Sequence, residues 1–126
     1  MRRMVVGLGI DLIAVEKIAR LARRESFLRR VYSDRERAET AALRDPAASL
    51  AGKFAAKEAC LKALGLGLGQ GLTLLDMEVL KGPDGAPGIV LSPRAAGRLA
   101  ALGGTRVHVS LSHSAGLAVA VVVLEA

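Results

Sequence analysis

Two apolar segments near the carboxyl terminus flank a short polar link. They are Arg106-Val-His-Val-Ser-Leu111 and Leu117-Ala-Val-Ala-Val-Val-Val-Leu124, and the link contains His113-Ser-Ala-Gly116. Apolar runs rich in β-branched residues and bounded by glycine are typical of strands, so we expect two terminal strands. The second segment is apolar on both faces, which is typical of a strand covered on both sides. In so short a chain, another subunit is a candidate for the second cover.

A further strand is predicted over Met4–Leu12, where side chains alternate between two faces. The face that we expect in the core carries Val6, Leu8, Ile10 and Leu12. The opposite face carries Gly7 and Gly9 and then Asp11, which leaves room either for a ligand or for a closely packed backbone.

Helices are predicted between the strands from apolar periodicity and capping signals. They cover residues 15–24, 34–43, 46–64 and 93–102. Ser33 and Glu36 form a capping-box pattern at the second helix, and Gly65 is expected to cap the third. Residues 27–32 are predicted to be a connecting segment.

A second hairpin is predicted in the middle of the chain. Residues 73–80 and 89–91 have the character of strands, and Pro83-Asp-Gly85 between them is a turn signal. Strands joined by hairpins and mixed with helices predict an α+β fold, in which a largely antiparallel sheet packs with one long and several shorter helices. With 126 residues, 52% of them hydrophobic, we expect one domain spanning residues 1–126.

The net charge of +6 favours an acidic partner, which can be nucleic acid, an anionic cofactor or an acidic protein. A nucleic-acid-binding module is the main competing interpretation, but two Phe and one Tyr provide few platforms for base stacking. No helix-turn-helix or zinc pattern is present either, so we expect no nucleic acid partner. Apolar runs too short for a bilayer and a single cysteine, Cys60, predict a cytoplasmic protein that does not bind membranes.

Glu58 and Lys62 lie four residues apart in the long predicted helix and therefore share one face. Spacing alone is typical of an exposed ion pair of about 0.3–0.5 kcal/mol. Alanines and Phe54 lie on or beside the same face of the helix, so this part of the helix is expected to pack against protein. A carboxylate in such surroundings needs a charge partner. That partner is either Lys62 or a cation.

Asp11 is a second carboxylate, at the end of the first predicted strand. Alone it is as typical of a helix cap as of a binding site. Together with Glu58 it suggests a Mg²⁺ site, because Mg²⁺ binds oxygen ligands and often uses one or two carboxylates with substrate phosphates. The hypothesis requires the two carboxylates to meet in space.

Two other patterns carry polar or flexible residues. Ser110 and Ser112 share one face of a predicted strand that leads to His113, and small hydroxyls at a strand end suit phosphate binding better than serine hydrolysis, since no oxyanion hole is indicated. The segment Gly65–Gly71 is glycine-rich, but it follows a helix and precedes a strand, the reverse of a dinucleotide or P-loop motif. We interpret it as a connection.

Three segments carry a more specific pattern. They are Gly7-Leu-Gly-Ile-Asp11-Leu-Ile-Ala-Val-Glu-Lys-Ile18, Phe54-Ala-Ala-Lys57-Glu58-Ala-Cys-Leu-Lys62-Ala-Leu-Gly65, and Val109-Ser-Leu-Ser-His113 followed by Ala118-Val-Ala. Taken together they resemble the holo-acyl-carrier-protein synthases, a family of 4′-phosphopantetheinyl transferases, over nearly the whole chain. The middle segment is the most specific of the three. The resemblance implies the fold of that family and a homotrimer with active sites between subunits.

The resemblance also implies roles for individual residues. Asp11 and Glu58 would hold Mg²⁺ against the pyrophosphate of coenzyme A, and Lys62 would balance phosphate charge. The coenzyme A pocket would include Gly65, Pro87 in a Gly85-Ala-Pro87 turn, and Ser110, Ser112 and His113 of a neighbouring subunit. An acidic helix of acyl carrier protein would dock on Arg20, Arg23 and Arg24. Lys53 departs from the family, since many members have arginine there.

The reaction implied is attack of a carrier-protein serine hydroxyl on the β-phosphoryl group of coenzyme A, with adenosine 3′,5′-bisphosphate leaving. Such a transfer needs charge neutralisation and alignment more than covalent catalysis. Two carboxylates with a metal ion and one lysine would supply both. The serine proton is accepted either by a metal-bound water or by Glu58.

Overall fold

A computed structural model describes residues 4–66 and 71–126, which form an α+β fold as predicted. The strands are β1 (Val5–Ala14), β2 (Met77–Lys81), β3 (Pro87–Leu91), β4 (Arg106–Ser114) and β5 (Leu117–Glu125). The helices are α1 (Val15–Leu21), α2 (Glu25–Val31), α3 (Asp34–Ala41), α4 (Pro46–Ala63) and α5 (Pro93–Ala101). A 3-10 helix covers Leu74–Asp76. The middle of the glycine-rich segment, residues 67–70, lies outside the described residues.

The strands form two antiparallel sheets. The larger has the order β1-β5-β4, and the smaller is the predicted β2-β3 hairpin. The link between β4 and β5 is shorter than predicted, because His113 continues β4 and only Ala115 and Gly116 form the turn. Both residues have positive φ, 53° and 76°, as a type I′ turn in a two-residue β-hairpin requires.

The long helix α4 packs on one face of the larger sheet, and the glycines of β1 set the distance. A Cβ atom on Gly9 would overlap the carbonyl oxygen of Ala59, and one on Gly7 would overlap that of Ala63. Of the two expectations for this face, a ligand or a closely packed backbone, the structure has the packed backbone at both glycines. The close approach places Asp11, two residues beyond Gly9, beside the carboxyl-terminal half of α4.

The expected orientation of β1 is therefore wrong. Of the four side chains predicted to face the core, Leu8, Ile10 and Leu12 are 65%, 58% and 61% exposed in the single chain, and only Val6 packs against the core. Hydropathy alternation favoured the larger side chains for the core, but α4 lies too close to β1 for side chains of that size. The small face is inside and the large apolar face is outside.

Two local predictions also differ from the structure. Residues 27–32, predicted to connect helices, belong largely to α2, which has no side-chain cap at Arg24 but buries Phe27 and Val31. The strand predicted over residues 73–80 begins only at Met77, after the 3-10 helix. The Ser33–Glu36 capping box, Gly65 with positive φ after α4, and the Ser92 cap of α5 agree with the sequence predictions.

The core is made mainly of small aliphatic side chains from α4 and β5. The only aromatic residues of the chain, Phe27, Tyr32 and Phe54, gather in one cluster with ring centroids 6.1 and 6.3 Å apart. Burial raises the pKa of the Cys60 thiol to about 12, so this residue is an inert part of the core. Across the described ranges, none of the helices has the length and apolar character needed to span a bilayer.

Candidate active site at the junction of the first strand and the long helix

The structure brings Asp11 of β1 next to Lys62 of α4. The Lys62 Nζ donates to Asp11 Oδ1 at 3.1 Å and to the carbonyl oxygen of Ile10 at 2.9 Å. The Asp11 side chain is only 16% exposed, whereas the Lys62 side chain is 54% exposed. The lysine therefore joins the strand to the helix and still presents its ammonium group to solvent.

Glu58 lies one helical turn before Lys62 and belongs to the same cluster. Burial raises the pKa of Glu58, the nearby Asp11 carboxylate raises it further, and the Lys62 ammonium lowers it in part. The two carboxylates thus repel each other across the junction, and one lysine does not fully compensate. Such a site can accept a further cation.

An apolar cavity of about 620 Å³ opens beside Glu58. Its walls include Phe27, Val31, Phe54, Leu72, Leu74 and Leu75. Arg30 and Arg94 lie at the same cavity and come from distant parts of the sequence. No spacing pattern linked these arginines to Glu58, because only the fold brings α2 and α5 to this place.

A second cavity, of about 520 Å³, lies between α4, β4 and the β2-β3 hairpin. It is lined by Pro87, Ser110 and His113 from the predicted set and by Lys53, Lys81 and Glu39. His113 Nε2 lies 3.0 Å from the carbonyl oxygen of Ala48, and Gly52 leaves space for the imidazole ring. Glu39 neutralises the buried Lys53 within this lining, so Lys81 supplies the cationic charge that suits the cavity to an anion.

The described residues do not unite all of the predicted site in one chain. Asp11, Glu58 and Lys62 form one cluster, whereas Pro87, Ser110 and His113 line the second cavity, whose lining contains none of those three. Ser112 lies on the outer face of the sheet opposite Val119. Gly65 has φ of +73° at the end of α4, which explains the glycine without a ligand.

Two buried lysines near the site were not assigned from the sequence. Lys57 Nζ lies 2.7 Å from Glu36 Oε1, and both side chains are inaccessible to solvent. Lys53, the position that departs from the resembled family, lies 2.7 Å from Glu39 Oε1 and donates to the carbonyl oxygen of Val79. Their partners are 21 and 14 residues away in sequence, and helical spacing gives no signal over such distances.

Comparison with known proteins identifies the family. The model of the 4'-phosphopantetheinyl transferase superfamily matches residues 7–122. The chain belongs to this superfamily. The holo-[acyl-carrier-protein] synthase of Nitratidesulfovibrio vulgaris (strain DP4) is 47% identical over 124 residues, which are 97% of this chain and 99% of that protein. The synthase of Anaeromyxobacter sp. (strain K) is 46% identical over 127 residues, with 97% of each chain covered.

Solved structures of superfamily members have the same fold. The Helicobacter pylori holo-[acyl-carrier-protein] synthase in complex with coenzyme A has a TM-score of 0.78 and 38% identity, covering 93% of this chain and 98% of that one. The synthase from Neisseria meningitidis has a TM-score of 0.87 and 29% identity, covering 96% and 98%. The transferase fold and enzyme class expected from the three sequence segments are thereby confirmed, and the chain is a phosphopantetheinyl transferase of the holo-[acyl-carrier-protein] synthase type.

Proposed function

We propose that this protein transfers the 4′-phosphopantetheine group of coenzyme A to a serine of apo-acyl carrier protein, with Mg²⁺ required and adenosine 3′,5′-bisphosphate released. The observation that carries the proposal is the meeting of Asp11, Glu58 and Lys62 at the junction of β1 and α4. The Helicobacter pylori relative in complex with coenzyme A supports the donor substrate. The carrier protein as acceptor is supported by the names of relatives that cover nearly the whole chain.

The donor set at the junction fits Mg²⁺. Asp11 and Glu58 offer carboxylate oxygens, and the raised pKa of Glu58 reflects, after burial, the repulsion between the two carboxylates. The described residues contain no cluster of three or more metal-ligating side chains. Mg²⁺ does not need one, since it commonly binds through one or two carboxylates with substrate phosphates and water. When bound, Mg²⁺ would neutralise negative charge on the pyrophosphate.

Lys62 is the residue of the cluster that can reach a substrate phosphate. Its side chain is half-exposed, and its ammonium group is a compact point charge on a flexible stem. In the free protein it is held by Asp11 and the Ile10 carbonyl. With substrate bound, the lysine would turn from these two acceptors to a phosphate oxygen and stabilise the charge that develops during phosphoryl transfer.

The cavity lined by Lys53, Lys81 and His113 is our candidate for the nucleotide end of coenzyme A, together with Pro87 and Ser110. It shares no lining residue with the Glu58 cavity. We therefore propose that a complete site takes the carboxylates from one subunit and this cavity from its neighbour. Ser112 and Gly65 line neither cavity of the single chain, and we propose that they contribute to the coenzyme A pocket only in the assembled protein.

A homotrimer is part of the proposal, supported by the outer face of the larger sheet. Leu8, Ile10 and Leu12 are all more than half exposed there, and across the sheet they pair with β5 valines. A contiguous apolar surface of this kind marks an interaction site rather than a solvated face. A second and third copy would supply the outer cover that the apolar β5 sequence requires.

The acceptor protein is proposed to dock on the basic surface of α1 and the turn that follows it. This surface consists of Arg20, Arg23 and Arg24, all exposed. An acidic helix complements it electrostatically and is attracted at a distance before contact. We further propose action in the cytoplasm, which agrees with a buried, unpaired Cys60.

The decisive experiment is intact-mass analysis of apo-acyl carrier protein after incubation with this protein, coenzyme A and Mg²⁺, with an EDTA control. We expect the carrier to gain one phosphopantetheine arm only when metal is present. Addition of the arm in EDTA would refute the metal requirement. No added mass with several different carriers would refute the proposed activity, and a nucleic-acid binding assay across a salt series would follow.

A further inference from the structure

Two ion pairs of the same design lie side by side between α3 and α4. Lys57 of α4 binds Glu36 of α3 at 2.7 Å, and Lys53, one turn earlier, binds Glu39 at 2.7 Å. Each lysine also donates to the backbone of β2, and each glutamate also accepts from it. The pairs therefore join three elements rather than two.

The inner pair, Lys57 and Glu36, makes the more extensive set of contacts. Lys57 Nζ donates to the carbonyl oxygens of Leu74 and Met77, both at 2.8 Å. Glu36 Oε2 accepts from the backbone N–H of Val79 at 2.9 Å. Both side chains are completely buried. Every hydrogen-bonding group of this pair is thus committed to one geometry.

Residues whose backbone is held by this pair line both cavities. Leu74 lines the cavity beside Glu58, and Val79 lines the cavity that we propose for the nucleotide end of coenzyme A. The lysine itself directly precedes Glu58 on α4. One buried ion pair therefore fixes the segment from Leu74 to Val79 relative to the helix that carries Glu58.

We propose that Lys57 and Glu36 are positioning residues for coenzyme A, which hold the wall formed by residues 74–79 at the distance from α4 that the bound cofactor requires. The inference rests on the proposed function, since it concerns the same substrate. Neither residue touches the reacting atoms in this assignment, because both side chains are completely buried and neither residue is among those that line the two cavities. A displaced wall weakens substrate binding without removing the Asp11, Glu58 and Lys62 cluster.

The test is the double variant Lys57→Met with Glu36→Gln, which removes both charges and leaves neither buried without a partner. Steady-state transfer kinetics and calorimetric binding of coenzyme A are measured on the full chain. We expect KM and Kd for coenzyme A to rise about tenfold or more while kcat stays within about threefold, the pattern of lost ground-state binding. The matched control is Arg37→Met with Glu25→Gln, which removes a solvent-accessible ion pair between α2 and α3 and should leave KM unchanged.

A purely structural pair would give a different result. A smaller folded fraction lowers the apparent kcat and leaves KM unchanged, and that outcome, or a double variant identical to wild type, overturns the proposal. Failure of the proposed function is recognised separately, because the wild-type protein would then show no transfer in the same assay, while the comparison of Kd values still tests the pair.

If the double variant does not fold, amide hydrogen exchange on the wild-type protein tests the proposal instead. If the wall is coupled to the cofactor, saturating coenzyme A slows exchange of the Val79 amide about fivefold or more. An unchanged Val79 rate, with slowed exchange elsewhere at the cavity, overturns the proposal.

Discussion

The Lys62 ammonium lies 3.1 Å from the Asp11 carboxylate, although 51 residues separate the two in the chain. The contact exists because Gly7 and Gly9 let α4 approach β1 to backbone distance. A strand that carried ordinary side chains at those positions would keep the helix several ångströms farther away. The geometry of the candidate site therefore depends on two residues that have no side chain.

The first prediction concerns the two carboxylates. Asp11→Ala and Glu58→Ala should each lower transfer by about a hundredfold or more, because the proposed charge neutralisation at the pyrophosphate is lost. Fold and oligomeric state should be kept, as judged by circular dichroism and light scattering. Glu16→Ala on the exposed side of α1 is the control and should retain activity. An active Asp11→Ala, Glu58→Ala double variant would refute the metal assignment.

The second prediction concerns close packing. Gly9→Ala should destabilise the protein by about 1–3 kcal/mol, since the added methyl group overlaps the Ala59 carbonyl oxygen. Gly97→Ala is a matched control in α5, where a Cβ atom meets nothing within 4 Å. It should stabilise the helix by about 0.5–1 kcal/mol. Urea denaturation of both variants measures the difference, and equal effects of the two changes would show that the close approach is not tight in solution.

The third prediction concerns assembly. Ile10→Asp places a charge on the outer face of the larger sheet and should convert the proposed trimer into monomers, because an unpaired carboxylate cannot be buried in an apolar interface. Val90→Asp is the control, since Val90 is 54% exposed, close to the 58% of Ile10, but lies on the smaller sheet. Sedimentation velocity distinguishes the two variants. A wild-type monomer with full activity would overturn the shared-site model.

The fourth prediction concerns Asp76, which accepts hydrogen bonds from Ser92 and from the N–H of Thr73. Burial alone would raise the pKa of Asp76, but these bonds and the Arg94 guanidinium outweigh burial and hold the pKa below its ordinary value of 3.8. A lowered folded-state pKa contributes stability above the unfolded value, and this contribution is lost as pH falls through the folded value.

Asp76→Asn should therefore cost about 1–3 kcal/mol at neutral pH and clearly less at about pH 3 or below. The free energy of unfolding of both proteins, measured in urea at each pH, gives the comparison. Asp84→Asn in the exposed hairpin turn is the control. A difference that stays constant between the two pH values would contradict the assigned ionisation.

The fifth prediction concerns the acceptor protein. Reversing the charge of Arg23 and Arg24 to glutamate should raise KM for acyl carrier protein about tenfold or more and leave KM for coenzyme A unchanged. The wild-type KM for the carrier should rise with salt, because surface attraction is screened. Arg44→Glu, in the loop between α3 and α4, is the control for net charge. If Arg44→Glu raised KM for the carrier as much as the change at Arg23 and Arg24, the result would indicate general electrostatic attraction rather than a docking surface.

Local signals in the sequence were enough for much of the fold. The Ser33–Glu36 capping box, the Gly65 cap and the serine before α5 act within a few residues, so their helices could be predicted. The start of α2 is different, because its N-cap residue Arg24 makes no side-chain capping bond and the helix is stabilised by burial of Phe27 and Val31. Such packing is a property of the folded chain, and a short window of sequence does not contain it.

The two faces of β1 show why orientation is harder to predict than periodicity. Leu8 and Ile10 are more hydrophobic than Gly7 and Gly9, yet the glycines are inside. Alternation identifies two faces, but it does not distinguish a face that packs on a helix from one suited to another subunit. For the candidate site, the carboxylates and Lys62 could be predicted from the sequence, whereas the buried Lys57–Glu36 pair depends on contacts between distant segments.

The two lysine–glutamate pairs also occupy the edge of β2 that faces away from β3 in the smaller sheet. Val79 has its N–H and its carbonyl oxygen both occupied by side chains, and the carbonyl of Met77 and the N–H of Lys81 are occupied in the same way. An unpaired strand border is a template on which extended segments of other molecules can add. In this protein, side chains already bind the outward backbone groups of β2, so a strand of another molecule cannot pair with this edge. We therefore expect that the protein can be concentrated without fibrils starting from β2.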